Sequence, residues 1–110
     1  MKAAEILAHV DHTLLKQTAT WDDIQRICDE AVAYHTATVM VPSSFIPRIV
    51  AKYGDALKVA TVVGFPNGNC SLAAKVAETA QALADGAEEI DMVINIGMLK
   101  AGETDYVTNE

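Results

Sequence analysis

Positive charge is what this chain has least of. Eight Lys and Arg stand against fifteen Asp and Glu, a formal net charge of −7. Nucleic acid is bound through a basic footprint, so it is not an expected partner, while a local basic pocket for one small phosphate stays compatible with the composition. Cysteine is nearly absent too. Cys28 and Cys70 show no CxxC spacing and make no disulfide framework. Cys28 falls on the apolar face of a predicted helix and reads as core; Cys70 falls in a loop with nothing beside it to mark a nucleophile. No apolar run is long enough to cross a bilayer, and Met1 to Glu5 lack a signal peptide's basic and apolar regions. The expected setting is therefore reduced and cytoplasmic, without a membrane partner. Pro/Gly/Ser-rich linkers and low-complexity tracts are missing as well, which predicts a single domain over residues 1–110.

Aromatics are only 5% of the residues, yet 51% are hydrophobic, largely Ala, Val, Ile and Leu. Such a composition suits helices packed on a parallel sheet. The chain alternates accordingly. A short helix over about Lys2 to Ala8 leads into a strand at His9 to Thr13. Thr20, with Asp23 three residues on, opens a helix whose buried stripe is Ile24, Ile27, Cys28, Ala31 and Val32. A second strand covers Ala37 to Val41, and Pro42 ends it. Ser43 or Ser44 caps a helix that Gly54 stops after Tyr53. Leu57 to Val63 is the third strand, followed by the turn Gly64-Phe65-Pro66-Asn67-Gly68 and a helix from Ser71 to Asp85, closed by Gly86. Glu88 to Gly97 reads as the fourth strand, and Lys100 begins a last helix. Repeated strand–helix units mean right-handed βαβ crossovers, and either an open doubly wound sheet or part of a (β/α)8 barrel. A whole barrel takes about 250 residues, so on the barrel reading four units are half of one.

The fourth strand carries the most information. By the two-residue period Ile90, Met92, Ile94 and Ile96 share one face, with Asp91, Val93 and Asn95 on the other. A carboxylate inside a strand has partners or has work to do, because unpaired burial of charge is costly. Functional groups in both candidate folds gather at the carboxyl ends of the strands. There Asp11 and Thr13 share a face of strand one, so Asp11 and Asp91 can look into a common interior and supply an acid and a base. The plainer reading is that each anchors a hydrogen-bond network. His9, Asp11 and His12 also invite a metal reading, but His12 points away from the other two and no further His supports it; no metal is expected. The Gly64–Gly68 turn matches no standard phosphate loop, and Ser71 as a simple cap explains the helix that follows.

Taken together, Asp11 to Lys16, Val39 to Pro42, Ala60 to Gly68 and Gly86 to Gly97 resemble the deoxyribose-phosphate aldolase family, the class I (Schiff-base) aldolases. The segments stand in family order at family spacing and cover nearly the whole chain. The resemblance implies a (β/α)8 barrel and reversible cleavage of 2-deoxy-D-ribose 5-phosphate to glyceraldehyde 3-phosphate and acetaldehyde, without a cofactor. It implies that Asp91 takes the strand-four aspartate's part in proton relay. Asp11 and Thr13 match polar residues near the substrate, and Val62 and Phe65 match pocket-lining positions. Met40 replaces a position that is cysteine in some members.

The departure is length. The family's Schiff-base lysine on strand six, the second lysine on strand seven and the phosphate-holding segments have no counterpart here. Lys16, Lys58 and Lys100 read as solvated surface lysines. The expectation is an amino-terminal half-barrel with the edges of strands one and four open, completed by dimerisation and inactive alone. The alternatives are a non-catalytic self-associating scaffold and a metal-dependent barrel enzyme.

Overall fold

In the computed structural model, which describes residues 1–110, four strands form one sheet in the order β1-β2-β3-β4, every pair parallel. The strands are β1 (Asp11–Thr13), β2 (Thr38–Val41), β3 (Val59–Val63) and β4 (Glu89–Met92). Helices α1 (Ala3–Leu7), α2 (Trp21–Tyr34), α3 (Ile46–Tyr53), α4 (Leu72–Asp85), α5 (Ile96–Lys100) and α6 (Thr104–Asn109) alternate with them.

Local chemistry sets most boundaries. The Thr20 hydroxyl accepts from the Asp23 N–H at 3.3 Å and the Asp23 carboxylate accepts from the Thr20 N–H at 2.9 Å, the reciprocal cap expected of that spacing. Of the predicted stripe, Ile24, Cys28 and Ala31 are buried, while Ile27 is partly so. Ser71 caps α4 by accepting from the Ala74 N–H at 3.3 Å, and Gly86 ends it at φ 114°. His35, in left-handed conformation at φ 53°, is the C-cap of α2.

Three expectations are corrected. Neither Ser43 nor Ser44 caps α3 with its side chain; a 3₁₀ turn over Ser43–Phe45 leads into the helix, and Pro47 occupies its first turn, where a missing N–H costs nothing. The fourth strand stops at Met92 rather than Gly97. Asn95 is not on a strand face at all: its Oδ1 accepts from the Met98 N–H at 3.1 Å and starts α5. The last helix begins at Thr104 rather than Lys100, which instead ends the short helix α5; Gly102 at φ 81° lies between the two.

Register divides the sheet into two faces, because paired residues on neighbouring strands point the same way. Val39, Val41 and Val59 meet Ile24, Cys28, Ile46 and Ile49 of the helices, with Ala82 and Ala87 completing the core. The opposite face carries Asp11 and Thr13, paired with Thr38 and Met40, then Ala60 and Val62, then Glu89 and Asp91. Helices cover only the first face. A parallel sheet usually has both covered, so this arrangement is that of a (β/α)4 half-barrel, open on its inner side and at the edges of β1 and β4.

Candidate functional site

The four parallel strands deliver their carboxyl ends to one rim. There Val62 and Phe65 line a cleft of about 410 Å³, together with Leu15, Lys16, Ser44 and Glu78. Phe65 is 47% exposed, a large apolar surface left at the mouth of the cleft. The turn that presents it is held by the Gly68 N–H donating to the Gly64 carbonyl at 2.7 Å and by the Gly64 N–H donating to Glu78 at 2.7 Å. Gly68 has no alternative: a Cβ there would stand 2.1 Å from the Ile94 carbonyl oxygen.

Asp91 is the cross-strand partner of Val62, so it stands beside the cleft on the open face. Its environment differs from the buried one expected from the sequence. Asp91 is exposed on the outer strand β4, whereas Thr38, Met40 and Ala60 of the same face, on the two inner strands, are buried. The ion pairs of the structure join other residues, and no lysine or backbone donor meets this carboxylate. The structural pairing that would explain an Asp inside a strand is therefore not what occupies Asp91.

Asp11 is another matter. Its Oδ1 accepts from the Thr38 hydroxyl at 2.7 Å, across β1 and β2, and the Thr13 hydroxyl donates to its carbonyl at 2.7 Å. Both side chains share the open face with Asp91, as the period predicted. The two carboxylates nonetheless sit on the two outer strands, with β2 and β3 between them. At the usual strand spacing that is about 14 Å, too far for one to perturb the other as a catalytic pair does. Asp11 behaves as the anchor of a short network and Asp91 as a free carboxylate.

The three groups of the metal reading diverge. His9 precedes β1 and its Nδ1 hydrogen-bonds the Glu5 carbonyl at 2.9 Å; His12 turns to the helix side and pairs with Glu30 at 2.7 Å. Only Asp11 looks into the open face.

One charged residue of consequence was not singled out from the sequence. Lys75 of α4 is 3% exposed, and its Nζ donates to Glu110 at 2.7 Å and to the Val93 carbonyl at 2.8 Å. Glu110 also accepts from the Asn95 N–H at 2.6 Å. These two donors, Lys75 first, hold the Glu110 carboxyl below its ordinary range. The pair thus fastens the segment after β4 to α4. Lys75 stands seven residues before buried Ala82, on the same helical face; that spacing was the available signal.

The model of the DeoC/LacD aldolases matches residues 5–110. A deoxyribose-phosphate aldolase of Clostridium botulinum (strain Eklund 17B) is 60% identical over all 110 residues of this chain, which make up 50% of that protein. One of Streptococcus pyogenes (strain Manfredo) is 47% identical over the same span, 49% of its length. The chain thus spans about half the length of the curated relatives it matches. Among solved structures, one from Coccidioides immitis assigned to the deoxyribose-phosphate aldolases superposes with TM-score 0.91 at 35% identity, covering 97% of this chain and 43% of that one. The fold alone is shared with the tetrameric deoxyribose phosphate aldolase of Aeropyrum pernix, at TM-score 0.80 and 24% identity, over 94% of this chain and 50% of that chain.

Proposed function

Because the chain belongs to the DeoC/LacD family of aldolases, we propose that it supplies one half of a Schiff-base aldolase barrel. The reaction is reversible cleavage of 2-deoxy-D-ribose 5-phosphate to glyceraldehyde 3-phosphate and acetaldehyde. The observation that carries this reading is the position of Asp91: a carboxylate without a partner, on the inner face, beside Val62 of the rim cleft. In this role Asp91 moves a proton between water and the amine that carries the substrate. Val62 and Phe65 bound the space for the substrate's carbon chain, and Thr13 and Asp11 add polar contacts from β1.

The nucleophile is not among these residues. An amine that attacks a carbonyl must be uncharged at working pH and within reach of it. Lys2, Lys16, Lys52, Lys58 and Lys100 are exposed, and Lys75 of α4 is engaged by Glu110 and the Val93 carbonyl. A Lys-Thr-Ser-Thr-Gly segment does not occur in the sequence. The isolated chain is therefore a carrier of proton-relay and pocket residues, inactive until a second half provides the amine.

Two experiments test this. Borohydride trapping with acetaldehyde, read by intact mass, should leave the isolated chain unmodified; a stoichiometric adduct on one lysine would overturn the inactive-half reading. A chimera in which residues 1–110 replace the matched half of the C. botulinum relative should cleave deoxyribose 5-phosphate. Asp91→Asn in that chimera should lower kcat by about 10²–10⁴-fold, the usual range for a proton-transfer group; an unchanged kcat would remove Asp91 from the mechanism.

A second reading is self-association. The unpaired edges of β1 and β4 favour it, since two copies added head to tail would bring eight strands together. Solution mass tests it.

A further inference from the structure

We propose that Glu78 is a positioning residue: from α4 its carboxylate fixes the Gly64–Gly68 turn and, through the turn, the Phe65 ring at the mouth of the rim cleft. The inference rests on the reading of Val62 and Phe65 as walls of the substrate's space, and adds to it the group that sets one of those walls.

Two residues of α4 face the turn. Lys75 and Glu78 stand three positions apart and share a helical face. They are opposite in charge, yet they form no ion pair with each other; the acidic partner of Lys75 is Glu110. Each reaches instead for backbone that follows a strand. Lys75 Nζ donates to the Val93 carbonyl just beyond β4, and Glu78 Oε1 accepts from the Gly64 N–H just beyond β3. Glycine at position 64 is what allows so close an approach. It has φ 66°, and a Cβ on it would stand 3.0 Å from the Lys75 Cε. The turn thus lies on the Lys75 stem with its first N–H directed at Glu78.

Phe65 needs this hold. Its ring is 47% exposed and stands outside the hydrophobic core, so side-chain packing does not fix it. Its place follows from the backbone on either side, where Gly64 and Gly68 both have positive φ. Glycine has more conformational freedom than any other residue, and a turn hinged on two of them keeps one shape only when its ends are tied. The far end is tied by the Gly68 N–H, which donates to the Gly64 carbonyl at 2.7 Å, and by close contact with the Ile94 carbonyl. The near end is tied to α4 by Glu78. The Glu78 side chain is exposed, makes no other hydrogen bond and joins no ion pair, so it serves neither the core nor a charge network. It lines the same cleft as the ring it positions.

Three variants test this. Glu78→Ala removes the acceptor, Glu78→Gln keeps an oxygen in its place, and Gln81→Ala, also exposed and three residues further along α4, is the control. In the full chain, amide exchange followed by NMR should show Gly64 exchanging about threefold or more faster in Glu78→Ala, as loss of one hydrogen bond implies. Glu78→Gln and Gln81→Ala should stay near wild type. Unchanged Gly64 exchange in Glu78→Ala overturns the proposal. In the chimera with the C. botulinum half, Glu78→Ala should raise KM by a similar factor, about threefold or more. It should leave kcat and Tm near wild type, because a pocket wall holds substrate and transition state alike. Glu78→Gln should restore KM. A faster-exchanging turn with KM unchanged makes Glu78 a structural contact and overturns the proposal, as does a loss confined to kcat or one matched by Gln81→Ala. Asp91→Asn acts on kcat instead, so the two readings fail separately. A chimera without activity sinks the aldolase reading, and the exchange measurement still decides whether Glu78 holds the turn.

Discussion

Lys75 and Glu110 form a buried ion pair, Nζ to Oε2 at 2.7 Å, with side chains 3% and 1% exposed. It bridges 35 residues of sequence. Removing one partner leaves the other's charge buried without compensation, which is strongly destabilising. Lys75→Met should lower the Tm far more than Lys100→Met, which changes an exposed lysine. The double variant Lys75→Met with Glu110→Gln should recover part of the loss. Thermal unfolding followed by circular dichroism measures all three.

The same pair sets an acid limit. Glu110 titrates below its ordinary 4.5 in the folded chain, because Lys75 and the Asn95 N–H favour the carboxylate. The unfolded chain therefore takes up this proton first as pH falls. The stabilisation is complete above about pH 4.5 and is lost as pH drops through the folded value. A Tm–pH profile of wild type against Glu110→Gln should show the wild-type advantage shrinking only below that point.

The two thiols should separate cleanly. Cys28 is 0% exposed, and burial, aided by the Asp29 charge, pushes it up to about 11. Cys70 is exposed. Ellman's reagent at pH 8 should modify one thiol per chain quickly, lost in Cys70→Ser, and reach the second only on unfolding. Above its ordinary 9.0 the unfolded Cys28 thiol ionises while the folded one keeps its proton. Stability is thus full below pH 9.0 and falls as pH rises towards about 11. Tyr53, raised by burial and by the Asp29 carboxylate, steepens the same alkaline loss.

Gly68→Ala and Gly102→Ala form a controlled pair. Both glycines have positive φ, 70° and 81°, so both substitutions carry the left-handed penalty of about 1–2 kcal/mol. Only at Gly68 does the new Cβ collide with backbone, 2.1 Å from the Ile94 carbonyl oxygen. Chemical denaturation should therefore show a clearly larger loss for Gly68→Ala. In the core, Ile49→Ala should cost about 2–5 kcal/mol, the range for emptying a fully buried aliphatic site.

The sequence by itself determined the alternation of strand and helix, the Thr20–Asp23 cap, the glycine stops at Gly54 and Gly86, and the face on which Asp11 and Asp91 fall. Each of these rests on interactions within a few residues or on the fixed periods of helix and strand. The tertiary structure decided the rest. It ended β4 at Met92, because β3 offers pairing no further and Asn95 finds a helix to cap. It made Asp11 an anchor and left Asp91 free, since Thr38 stands opposite the first. It buried Lys75 by bringing Glu110 to it. No period or propensity reports such pairings, because each depends on a residue 27 or more positions away that only the folded sheet and its helices bring within reach.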